Sequence, residues 1–253
     1  MTASDLTGAL TALRHKVHAL LEPSPRCHDW DHTERVCFNA RRIARAEGAD
    51  LAVVEFAALL HDIGRAEEFR SRGKSCHACQ GAERAPALLL SVGIENDEFV
   101  GRVADAVRSH RYRRRDNDAP ASLEAKVVYD ADKLDSMGAI GIGRAFHFAG
   151  HVGARVHNTE AEALGSEAYS AEDSAYREYL VKLRHLHNAM LTAEGRRIAE
   201  ERHHFMVAFF DRLNRETCGL PRAVEHGVDS HGAAMQKIGI CLVAREKEDR
   251  RKP

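Results

Sequence analysis

The chain has 253 residues, of which 44% are hydrophobic and 30% charged; this balance fits a soluble globule and excludes a largely disordered chain. Its 37 basic and 38 acidic side chains leave a formal net charge of −1, so a general nucleic-acid coat is excluded and no stable nucleic-acid partner is expected. No stretch approaches the roughly 18 uninterrupted apolar residues of a membrane helix, because the most apolar run, LAVVEFAALL at 51–60, is broken by Glu55.

In chain order the sequence reads as helix after helix. Leu6, Leu10, Leu13, Val17 and Leu21 fall at spacings of three and four, which predicts a helix over 4–21. Val36, Ala40, Ile43 and Ala44 repeat the pattern over 32–47, with Gly48 as the stop. Asp50 caps a helix predicted over 51–63 and ending at Gly64. Further helices are predicted at 76–91, 97–110, 122–137, 139–149, 172–190 and 193–217. Polar segments at 64–75, 111–121 and 150–171 read as loops of the kind that often bind ligands. Only KIGICLVA at 237–244 has strand character, and EKEDRRKP at 246–253 reads as a solvated tail. The fold class expected is all-α, a single-domain helical bundle over 1–219, with 220–253 a partly disordered C-terminal extension.

The 16 histidines are the compositional outlier, and imidazole is both a common metal ligand and a common general base. Four places combine such groups with apolar helix patterns: His32 in CHDWDHTERV, His61-Asp62 in FAALLHDIGR, His110 in AVRSHRY and Asp132 in VVYDADKLD. An unpaired ionisable group on a core face is costly, and one cation satisfying several of them removes the cost. Adjacent helical residues point about 100° apart, yet a metal at a helix C-terminus can meet both members of the His61-Asp62 pair, and the negative end of the helix dipole favours it there. Mixed imidazole and carboxylate suits a divalent transition metal and not a thiolate zinc site.

His32, His61-Asp62 and Asp132, in this order, resemble the H…HD…D ligand set of the HD-domain metal-dependent phosphohydrolases. The segments HDWDHTERV, ALLHDIG, LEAKVVYDADKLDSMGAIGIGRAF and MLTAEGRRIAEERHHFM resemble a bacterial branch of nucleoside triphosphate pyrophosphohydrolases, over roughly residues 10–217. The resemblance implies an HD-type helical bundle with a metal core at about 28–135, and a reaction converting a deoxynucleoside triphosphate to monophosphate and pyrophosphate. Related reactions are nucleotide phosphomonoester or phosphodiester hydrolysis, di-iron oxygenation, and nucleotide sensing without turnover. It implies His32, His61, Asp62 and Asp132 as ligands of a divalent metal, manganese first, with iron, cobalt, magnesium or zinc as alternatives. Some relatives hold a second ion through two further histidines, and His77 and His110 lie in that interval; otherwise these two contact phosphates or carry protons. An acidic residue on the loop after the HD pair, Glu67 or Glu68, would orient the water. A nucleotide polyphosphate needs cations besides the metal, and Arg35, Lys133, Arg144, Lys182 and Arg196 are the candidates.

Asp29 reads either as a partner fixing an imidazole or as a helix cap. The run Arg111 to Arg115, with Tyr112 inside it, steers an anionic substrate or is a solvated loop balanced by Asp116 and Asp118. The C-x-x-C at Cys76–Cys79 lacks the second pair of a structural zinc site and the βαβ context of a redox motif. No secretory signal is visible in MTASDLTGAL, so the six cysteines are expected reduced and the chain cytoplasmic, with a homo-oligomer compatible with the sequence. There is no G-x-x-x-x-G-K-[ST], and the glycine-rich GAIGIGRAF follows a helix, unlike a dinucleotide turn.

Overall fold

The computed structural model describes residues 2–22, 29–71, 74–111 and 120–218. The strand expected at 237–244, the extension 220–253 and, from the basic run, Tyr112, Arg113, Arg114 and Arg115 with Asp116 and Asp118 lie outside them. The described residues are helical, with no strand among them. In chain order they form α1 (Ala3–Leu21), α2 (Trp30–Glu47), α3 (Leu51–Leu60), α4 (Arg65–Arg70), α5 (His77–Leu90), α6 (Asp97–Ser109), α7 (Leu123–Leu134), α8 (Gly138–His151), α9 (Glu160–Leu164), α10 (Ala175–Val181), a 3₁₀ helix (Leu183–Ala189) and α11 (Ala193–Cys218).

The starts of these helices follow from their caps. Asp29, Asp50, Asn96 and Ser122 each accept a backbone N–H from the first turn of α2, α3, α6 and α7. Gly48 closes α2 in the left-handed conformation at φ +73°. The apolar α3 occupies the centre: Val53, Val54, Phe56, Ala57, Ala58, Leu59 and Leu60 are all buried, and α1, α2, α6 and α7 pack around it.

Four segments differ from the periodic reading. The helix expected over 51–63 stops at Leu60, so His61 and Asp62 stand on a turn and not on a helix face. The helix expected over 172–190 divides into α10 and the 3₁₀ helix, and the segments expected as loops at 64–75 and 150–171 contain the short helices α4 and α9. Two-turn pieces of this kind carry too few apolar residues to register a period.

Asp130 locks the last helix onto this frame. Its buried carboxylate accepts the backbone N–H of Thr192 at 2.8 Å, the Thr192 hydroxyl at 2.6 Å and the Leu191 N–H at 2.9 Å. Gly195 permits the approach, because a Cβ there would lie 2.2 Å from the Asp130 carboxylate. From this anchor α11 runs across α8, α7 and α2, where Arg202 donates to the Leu134 carbonyl and to Asn39.

Candidate metal centre

Each imidazole of the site is aimed by a hydrogen bond at its back. His61 is the first residue beyond α3, and its Nδ1 donates to the Ala58 carbonyl at 2.8 Å. His110 stands in the same place beyond α6, and its Nδ1 donates to the Val107 carbonyl at 2.6 Å. Both bonds use carbonyls that the helix end leaves unpaired. His32, on the first turn of α2, donates from Nδ1 to Asp135 at 2.7 Å. His77, the first residue of α5, donates from Nδ1 to Glu68 at 2.8 Å. Asp29 accepts the His32 backbone N–H at 3.1 Å and so serves as a helix cap.

With every Nδ1 committed to an acceptor, each neutral ring presents the Nε2 lone pair on its other side. These four Nε2 atoms converge in two pairs: His32 on His61 at 3.2 Å, and His77 on His110 at 3.2 Å. Asp62 lies between the pairs. Its Oδ2 is 3.5 Å from His32 Nε2 and 3.6 Å from His61 Nε2, and its Oδ1 is 3.6 Å from both His77 and His110 Nε2. Asp132 Oδ1 completes the first group at 3.5 Å from His32 Nε2. The result is two buried triads, His32–His61–Asp132 and Asp62–His77–His110, each with donor atoms within 4.8 Å of one another. Facing lone pairs beside carboxylates repel unless a cation sits among them, so the donor set fits one divalent ion per triad with Asp62 shared.

The electrostatics agree. Burial pushes His61 down to about 3 and lowers His77, which keeps both rings unprotonated near neutrality. At His32 burial opposes the charged form, yet the hydrogen bonds to Asp135 and Asp62 raise its pKa above the ordinary histidine value. Burial also opposes ionisation of Asp132, but Lys133, His61 and His32 hold it well below the usual carboxylate range. This is a place built to carry positive charge between carboxylates.

The residues behind the triads form two clamps. Asp135 accepts from His32, from Arg35 Nε at 2.6 Å and from Arg144 Nη1 at 2.9 Å. Glu68 accepts from His77, from Arg65 Nη1 at 2.9 Å and from Arg111 Nη2 at 2.8 Å; the His77 hydrogen bond leads the effects that hold it at about 2. Arg65 also donates to Asp62 at 2.9 Å. Lys133 Nζ donates to Asp132 at 2.6 Å and to the His110 carbonyl at 3.3 Å, which puts one buried ammonium against both triads. The backbone approaches closely here: a Cβ on Gly64 would meet the His77 carbonyl oxygen at 2.3 Å.

Of the residues singled out from sequence, His32, His61, Asp62, His77, His110, Asp132 and Lys133 come together, and Glu68 stands directly behind His77. Arg35 and Arg144 reach the centre through Asp135 and also line an open cleft of about 320 Å³ between α2 and α8. Glu67 turns outward to pair with Arg70 at 2.6 Å. Lys182 makes a 2.6 Å pair with Glu178, and Arg196 donates to the Met190 carbonyl at 3.2 Å. Asp135 and Arg65 were passed over. Both lie three residues after a triad carboxylate, Asp132 and Asp62, and that spacing is the signal that points to them.

The comparisons with known proteins fall on the same residues. The HD domain family model matches residues 29–137, a span that contains every member of both triads. YpgQ of Bacillus subtilis, described as uncharacterized, is 35% identical over 208 residues, covering 82% of this chain and 93% of its own. The crystal structure of that protein in complex with ADP has a TM-score of 0.62 at 32% identity, covering 84% of this chain and 96% of the other. A structure from an uncultured Thermotogales bacterium, described as an HD superfamily hydrolase, has a TM-score of 0.60 at 30% identity, covering 86% and 99%. With its helical frame, its paired histidines and these relatives, the chain belongs to the HD-domain family.

Proposed function

We propose that this protein is a metal-dependent phosphohydrolase acting on nucleotides, and that its reaction converts a deoxynucleoside triphosphate and water to the monophosphate and pyrophosphate. The observation that carries the metal dependence is the convergence of four histidine Nε2 atoms on the Asp62 carboxylate. The nucleotide class is supported by the relative crystallised with ADP and by the family segments quoted from the sequence. His32, His61, Asp62 and Asp132 would hold one ion, manganese in the first instance, and Asp62, His77 and His110 a second. Such ions polarise phosphoryl oxygens and bring the pKa of a bound water towards neutrality.

The protein's own groups have separable tasks in this reading. Asp62 shares its two oxygens between the triads and fixes their spacing. Asp135 and Glu68 hold His32 and His77 in the tautomer that leaves Nε2 open. Lys133 sets a positive charge where a phosphate oxygen could reach either triad. Arg35 and Arg144 line the adjoining cleft and present guanidinium groups to the rest of the substrate.

The test is an assay of metal-stripped protein restored with Mn²⁺, Mg²⁺, Co²⁺ or Zn²⁺ against ribo- and deoxynucleotides, with both products separated. Monophosphate plus pyrophosphate is the expected result. Orthophosphate release would make the enzyme a phosphomonoesterase, and a linear nucleotide from a cyclic one a phosphodiesterase. Oxygen uptake by iron-loaded protein without nucleotide turnover would replace hydrolysis by oxygenation.

A further inference from the structure

The start of α5 carries two thiols that the chemistry above does not use. Cys76 is the N-cap of α5, Cys79 is its third residue, and His77 lies between them. Both cysteines are partly exposed, whereas Cys37 is buried and burial pushes its thiol up to about 12. Cys79 and the Arg111 guanidinium both neighbour the Cys76 thiol. Side chains three apart at a helix start are neighbours, and a small rotation brings such Cβ atoms within the roughly 4 Å that a disulfide requires.

The same few residues touch the second triad in two ways. Arg111 bonds Glu68 at 2.8 Å, and Glu68 holds His77. The His77 carbonyl packs on Gly64, two residues after Asp62, with no room for a side chain between. A movement of Cys76 onto the first turn of α5 therefore passes directly to His77.

We propose that Cys76 and Cys79 are a reversible dithiol–disulfide site, oxidised by exchange with a low-molecular-weight disulfide, and that closing the bond draws His77 away from Glu68 and His110. In the first step the Cys76 sulfur attacks one sulfur of the disulfide, and the displaced thiol leaves with the Cys76 proton. The Cys79 sulfur then attacks the Cys76 sulfur, and the second thiol leaves with the Cys79 proton. The two cysteines lose two electrons, which reduce one disulfide to two thiols. The consequence for metal content rests on the proposed metal reading; the bond itself does not.

The experiment treats the full-length, Mn²⁺-loaded chain with oxidised glutathione, blocks remaining thiols, maps the peptides and counts metal. The expected result is a Cys76–Cys79 bond reversed by dithiothreitol, with metal falling from two ions per chain to one. Cys79→Ser should keep both ions and turnover within twofold of the parent, and stop at a mixed disulfide on Cys76. Cys79→Ala serves if the serine variant fails to fold. Hydrogen exchange at residues 77–81 of the metal-free chain should rise on oxidation. Both thiols remaining free under the oxidant would overturn the proposal, as would a closed bond with unchanged hydrogen exchange and metal content. If neither redox state binds metal, the metal reading falls, and the peptide map with hydrogen exchange still decides this one.

Discussion

His32, His61 and Asp132 come from α2, the residue just beyond α3, and α7, and these three helices pack on one another in the core. Asp62, His77 and His110 come from the turn after α3, the first residue of α5 and the residue just beyond α6. The clamps behind them differ in the same way. Asp135 is only 2% exposed at its side chain and Glu68 14%, while the arginines bonded to the two carboxylates are all about a fifth to a third exposed. Charges in contact with water are screened, and their geometry is less firmly held. The first triad is set by helix packing and has the more deeply buried carboxylate behind it, so on the proposed two-ion reading the second ion should be the weaker and more exchangeable of the two.

The change that should erase this contrast is Asp62→Ala, because Asp62 gives one oxygen to each triad. Metal analysis should find both ions lost and turnover abolished, with the helical circular dichroism retained. Retention of one ion at full strength would mean that Asp62 is not shared. Next in size is Asp135→Asn, which weakens the hold on His32 and unpairs Arg35 and Arg144. A change behind a metal ligand costs about 10–100-fold in affinity or activity, and here it should fall on the first triad. Titration of the two ions separately checks this, and an equal loss at both would break the distinction.

Glu68→Gln should show the reverse pattern with a smaller effect. The amide keeps the size of the side chain but removes the charge that accepts from His77, Arg65 and Arg111. The second ion should weaken by about tenfold while the first binds as before. Raised salt should not imitate the substitution, because water-exposed arginines bond both carboxylates and are screened alike.

Much of this was legible in the sequence where the signal was local. The caps at Asp50 and Ser122 and the apolar period of α2 placed helices correctly because each depends on neighbours along the chain. The HD pair was found, but its helix was drawn past it, since the period of α3 says nothing about where a histidine turns back to cap a carbonyl. VVYDADKLD presents three aspartates of similar context. One anchors α11, one faces the triads and one grips His32, and only the tertiary packing separates them. Arg35 and Arg144 were read as phosphate ligands because a basic residue near a metal motif has that chemistry. Their bonds to Asp135 involve a residue about 100 positions away from Arg35, beyond the reach of any local pattern.

Lys182 provides the smallest test, and it concerns the outermost part of the comparison. The sequence offered it as a phosphate ligand, whereas the structure pairs it with Glu178 one turn back on α10, with 45% of its side chain exposed. An exposed pair of this spacing is worth about 0.3–0.5 kcal/mol, so Lys182→Ala should change thermal stability by no more than about that amount. If the cations that matter are those bonded to the triads or their clamps, the KM for the nucleotide and kcat should stay within twofold of the parent. A rise of tenfold or more in KM with kcat unchanged would show that Lys182 leaves Glu178 to meet the substrate, and the boundary of the binding site would then extend from α8 to α10.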